Sequence, residues 1–176
     1  MELHQIQVTY RPDEDRLLCR ASFKENDEFH ELRAWLTRRM VRSLWPAILD
    51  ALEKQVALEK PGAAHASSDI VGMEHQASVE AIRGNGSFDA PYEGEATHFP
   101  LGETPILVEK VDLTVGAGQP VRINLCPAEG NGFEISFDLT VLHGFCALLQ
   151  DAVVHADWDM TLEMPGLEAP AGRVLN

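Results

Sequence analysis

The chain has 176 residues, 45% of them hydrophobic, and a formal net charge of −14. This length fits one ordinary domain or two small intimate ones, with a core large enough to do without covalent staples. The composition excludes a disordered polymer, and the acidity disfavours generic DNA or RNA binding, which depends on Lys and Arg neutralising phosphates.

The first strand signal is "HQIQVTYRP". Ile6, Val8 and Tyr10 alternate with Gln5, Gln7 and Thr9, the period of a half-buried strand. "PDED" makes a turn, "RLLCRASF" a second strand, "KEND" a second turn and "FHELRAWL" a third strand with Leu32, Ala34 and Leu36 on one face. Thr37 can then cap a helix. Beyond it Met40, Val41, Leu44, Trp45, Ile48, Leu49 and Leu52 recur at helical spacing. Pro46 interrupts this stripe at a cost of roughly 3 kcal/mol. The stripe keeps its phase through Pro46, so a kinked but continuous helix is expected. Residues 1–58 thus read as a β-β-β-α unit.

Residues 59–104 are rich in Gly, Pro, Ala and Ser and read as a partly mobile connector, in which "DIVGMEHQASVEAI" can form a short helix. The first pattern returns over 105–164. Val111, Leu113 and Val115 alternate, then Val121, Ile123 and Leu125, then Phe133, Ile135, Phe137 and Leu139. Thr140 is the second cap candidate, before a stripe of Val141, Leu142, Phe145, Leu148, Leu149, Ala152 and Val153. "DWDMTLEM" alternates Trp158, Met160, Leu162 and Met164 and can add an edge strand. Residues 165–176 read as a flexible tail.

The expected fold class is α+β: two β-β-β-α units in pseudo-two-fold arrangement, each antiparallel sheet covered by one helix. Leu36-Thr37 and Leu139-Thr140 mark the two strand-to-helix junctions. Leu36, Leu49, Phe137 and Leu149 are expected in the core.

Chemistry is sparse. Cys19, Cys126 and Cys146 form no CxxC pair and no disulfide framework. His143 and Cys146 lie three apart and Asp151 and His155 four apart, without a third converging ligand, so no metal is expected. Ser67, Ser68 and Ser78 have no nucleophile elbow. "GNG" and "GAG" are turns rather than phosphate loops. His65, His75 and His98, with Glu74 beside His75, read as linker composition rather than a lid. No catalytic residue and no cofactor is expected. "MELHQIQVTY" lacks the features of a signal peptide, and no apolar run suggests a membrane span. A cytoplasmic protein is the expectation.

One stretch breaks a local rule. "ELRAWLTRRMVRSLW" places Arg38, Arg39 and Arg42 in the first turns of the helix, with Arg33 and Trp35 just ahead. Cations at a helix N-terminus cost roughly 0.3–1 kcal/mol each when exposed. Residues 1–60 hold ten basic and eleven acidic side chains, whereas 61–176 hold four and seventeen. The arginines can therefore pair with the acidic half, through Asp157, Asp159 or Glu163, or meet an external anion. The internal reading is favoured because the negative charge is in the same chain.

The repeated sheet-plus-helix layout resembles, in architecture, the single-stranded nucleic-acid binders of the Whirly and transcriptional-coactivator type. Trp35 and Arg33, on one face of the third strand, come nearest to a base-stacking pattern. The acidic second half opposes that function. The leading expectation is a soluble, non-enzymatic protein-interaction module, an adaptor or assembly factor. Its partner would be another protein, met through Arg33, Trp35, Arg38, Arg39 and Arg42. The alternative is a single-stranded nucleic-acid-associated protein using the same patch, and an enzyme with an unidentified site stands third.

Overall fold

The computed structural model describes residues 2–26, 28–88, 90–92 and 96–166. Strands β1 (Glu2–Arg11), β2 (Arg16–Glu25) and β3 (Glu28–Leu36) form an antiparallel meander. Helix α1 (Arg38–Glu59) follows at once, and a 3₁₀ turn over Pro61–Ala66 leads into α2 (Ser67–Gly84). The two-residue strand β4 (Ile106–Leu107) joins the first sheet parallel to β3. A second antiparallel sheet holds β5 (Lys110–Thr114), β6 (Val121–Cys126) and β7 (Phe133–Phe137), and α3 (Leu139–Ala156) follows it. Over the described residues the fold is α+β, with two sheets and three α-helices.

Local chemistry accounts for both strand-to-helix junctions. Thr37 caps α1, its hydroxyl accepting from the Met40 amide at 3.1 Å. The α1 helix runs continuously through Pro46. The second cap is Asp138 rather than Thr140: its carboxylate accepts from the Val141 amide at 2.8 Å, so the helix begins two residues earlier than the sequence suggests. Asp138 wins because a carboxylate at this position also meets the positive end of the helix dipole.

Setting cap on cap, Thr37 on Asp138, brings the two halves into register. Buried Val41, Leu44, Trp45, Ile48, Ala51, Leu52 and Gln55 fall on buried Leu142, Phe145, Cys146, Leu149, Ala152, Val153 and Ala156. In the sheets, Leu17, Cys19 and Ala21 face Leu36, Ala34 and Leu32 across β2–β3. Val121, Ile123 and Leu125 face Phe137, Ile135 and Phe133 in the same way across β6–β7. One hydrophobic cluster contains both sets. Leu49 is half-buried rather than core, and Ile48 takes the position matching Leu149. Helix α1 lies beside β5 and α3 beside β1, so each helix reaches the first strand of the other half.

The connector differs most from expectation. Its helix is 18 residues long and packs on both α1 and α3. The alternation over 157–164 yields no strand. Trp158, Leu162 and Met164 are buried in a segment without regular secondary structure that meets α2 at Gly72, where a Cβ would lie 2.3 Å from the Pro165 carbonyl oxygen. A ladder needs free amides opposite, whereas this segment meets helices. Of the expected tail, residues 167–176 lie outside the described ones. Helix α3 is also long and apolar enough to cross a membrane by length and composition, at a mean hydropathy of 1.3, which the sequence reading did not anticipate. Its apolarity answers to packing between sheet and helix, with 56% of it buried.

Candidate interaction surface

The five residues singled out from the sequence fall into two places. Arg33 and Trp35 lie on the outer face of β3, and Arg38, Arg39 and Arg42 are exposed on the first turns of α1.

On the outer face, the register sets Arg20 directly opposite Arg33. Like charges so placed repel unless a counter-ion joins them. Glu31 joins them. Its side chain, 1% exposed, accepts from Arg20 Nε at 3.1 Å and Nη2 at 3.0 Å, from Arg33 Nε, and from the Tyr92 hydroxyl at 2.9 Å. Burial pushes the Glu31 carboxyl up, but the bonds from Arg20, Arg33 and Tyr92 outweigh it and the net shift is downward. Burial and the Glu31 carboxylate raise the Tyr92 hydroxyl, which therefore stays a donor.

The connector is seated on this cluster. The Arg20 guanidinium lies 4.1 Å from the Tyr92 ring centroid and that of Arg33 4.6 Å from the Phe99 ring. Arg33 Nη1 donates to the Glu103 carbonyl at 3.0 Å, and the Glu31 amide donates to the His98 carbonyl at 2.9 Å. Trp35 is half-buried against Leu107 of β4. Arg33 and Trp35 thus hold the connector down and are not part of the α1 cluster.

The α1 arginines behave otherwise. Among the described residues, none of Arg38, Arg39 and Arg42 has a carboxylate within ion-pair distance, and the first turn of α1 contains no acid. Asp157, Asp159 and Glu163 do not pair with them; the Glu163 carbonyl instead accepts from Trp45 Nε1 at 3.0 Å. The nearest compensation comes from Asp15 in the β1–β2 turn. Its carboxyl is lowered by bonds from Trp158 Nε1 (2.7 Å) and the Tyr10 hydroxyl (3.0 Å), and further by the charge of Arg38.

Arg39 lines a groove of about 330 Å3 between α1 and the β4–β5 junction. Met40, Leu44, Ala47, Val108 and Val111 give it an apolar lining. Arg39 makes the α1 wall basic, while the opposite wall carries Glu109 and Lys110, the latter paired with Asp112 at 2.7 Å.

Burial disfavours nucleophilic chemistry at two of the cysteines, Cys19 and Cys146. Burial pushes the Cys19 and Cys146 thiols up to about 12. Among the described residues, no three His, Cys, Asp or Glu side chains converge as a metal site would require.

Sequence reasoning missed Arg20, Glu31, Tyr92 and Phe99. A signal existed for the first two: once β2 and β3 are placed in register, two facing arginines demand an acid beside them. Tyr92 and Phe99 lie far along the connector, and no local pattern marks them. No protein-family model matches the chain, and comparison with curated proteins and with solved structures returns no match.

Proposed function

We propose that this protein is a non-enzymatic protein-interaction module, an adaptor or assembly factor, whose groove between α1 and the β4–β5 junction takes an apolar segment of a partner protein edged with Asp or Glu. The observation that carries the reading is the exposed Arg38, Arg39 and Arg42 cluster, without ion-pair partners among the described residues, beside an apolar groove that Arg39 lines. The arginines tolerate an unfavourable helix dipole, and an incoming carboxylate would relieve it. The two halves, matched in strand register and buried helix positions, are read as β-β-β-α units related by a pseudo-two-fold axis. In the first half the cap is followed by two arginines; in the second it is followed by Leu139 and Thr140. Only the first half thus carries the patch.

The outer sheet faces speak against the nucleic-acid alternative. Tyr92 and Phe99 cover part of the first, and Asp112 and Glu134 interrupt the cations of the second. Selection of a random-peptide display library tests the reading. Wild type should enrich sequences with Asp or Glu beside apolar residues. Arg39→Glu combined with Lys110→Glu should abolish that enrichment. Enrichment that survives the double change, or none on wild type, defeats the proposal.

A further inference from the structure

The contact between α2 and α3 contains a feature that the groove does not use. His75 of α2 and His143 of α3 meet edge to face with ring centroids 5.4 Å apart. His143 is fully buried and His75 is 7% exposed. His75 Nδ1 and both ring nitrogens of His143 are buried without a hydrogen-bond partner. Buried polar atoms are satisfied in the great majority of cases, so three orphans on one pair of rings are exceptional. The surroundings provide little compensation. Gln150 of α3 faces His75, Arg83 of α2 makes a cation there less favourable, and Cys146 lies one turn beyond His143. Glu74 is tied to Lys60 at 2.7 Å, and Glu53 of α1 is bonded to Ser68 at the start of α2. The 157–166 segment meets α2 at Gly72 through backbone atoms.

We propose that His75 and His143 form an acid-responsive latch, in which protonation drives α2 off α3 while both sheets stay folded. The attachment of α2 is a narrow stripe. Its buried positions are Val71, Gly72, His75 and Val79, so the imidazole sits midway between the two buried valines. A second proton on His143 creates a buried cation without an acceptor, one on His75 has only the neutral Gln150 side chain to meet it, and protons on both set like charges face to face. Lifting α2 exposes both rings to water. The sheets keep the ladders that hold them, none of which runs through α2. Burial and the neighbouring His75 hold His143 down to about 4, whereas an open imidazole titrates near 6.5. A group depressed in the closed state favours opening as pH falls below the open value. Between pH 7.5 and 5, His143 alone raises the α2 opening equilibrium about thirty-fold.

Amide hydrogen exchange on the full chain, corrected for intrinsic rates, tests this. The α2 amides should lose about thirty-fold or more of their protection over that range, while β2 and β6 amides keep theirs. His75→Gln combined with His143→Gln should flatten the response. Should that variant not fold, His143→Gln alone should cut the loss several-fold. Equal loss in α2 and the sheets, full protection of α2 at pH 5, or an unchanged response in the folded variant overturns the latch.

Discussion

Replacing Glu31 by glutamine keeps the shape of the side chain and removes its charge. Four donor contacts converge on that carboxylate, from Arg20 twice, Arg33 and Tyr92. In the variant the new amide nitrogen must point at a guanidinium or at the Tyr92 hydroxyl. Breaking a buried ion pair by removing one partner costs about 3–5 kcal/mol. Arg20 and Arg33 are 24% and 25% exposed and can recover some hydration, which sets the expectation near the lower end, about 3 kcal/mol. For a domain of this size each kcal/mol lowers Tm by about 2–4 °C, so a drop of roughly 6–12 °C is expected. Thermal unfolding followed by circular dichroism measures it. Because Tyr92 and Phe99 dock through the same cluster, limited proteolysis should cut the connector near 96–105 faster in the variant. Glu134→Gln is the control: it stands on the outer face of β7, 3.8 Å from Arg122, and both are nearly half exposed. It should change stability by less than about 0.5 kcal/mol. A Glu31→Gln protein that melts within 2 °C of wild type, an interval well below the roughly 6–12 °C expected, would refute the view that this carboxylate holds the outer face together.

Arg38→Ala with Arg39→Ala should leave stability unchanged or raise it by up to about 1 kcal/mol, since the change relieves the helix dipole; a loss in melts at low salt that disappears at high salt would show internal pairing instead. Leu149→Ala, at a fully buried site, should cost about 2–5 kcal/mol in urea unfolding, and Leu49→Ala clearly less, because Leu49 is only half-buried. Gly72→Ala should destabilise the seat of the 157–166 segment through its clash with the Pro165 carbonyl; the check is a rise in exchange of the amides around Leu162 and Met164, with the β2 amides unaffected.

The elements most legible in the sequence were those with a strict period. The alternations at Ile6–Val8–Tyr10 and Phe133–Ile135–Phe137, and the stripe from Val41 to Leu52, reflect one-sided burial and need no tertiary information. Thr37 could be recognised as a cap because the stripe opens within about one helical turn of it. Asp138 was overlooked because Leu139 extends the strand alternation by one residue and conceals the junction. The connector misled for a different reason. Gly72 lowers helix propensity locally, but in the fold it admits the Pro165 carbonyl, a tertiary demand that propensity cannot register. The α1 arginines stood out as a broken rule. Their separation from Arg33 did not, because β3 ends and the chain turns between them.

Val108 donates its amide to Trp35 of the first sheet at 3.1 Å, and Glu109, the next residue, donates its own to Cys126 of the second at 2.9 Å. Two successive peptide units are therefore bonded to two different sheets. A hinge needs residues whose dihedrals are free to change, and here both amides are committed. Sliding of one sheet past the other would have to break a ladder bond. The groove opens at this seam, with Val108, Glu109 and Lys110 in its wall. Any chain that enters it meets a wall already set, so little of its binding energy is spent on ordering the receptor.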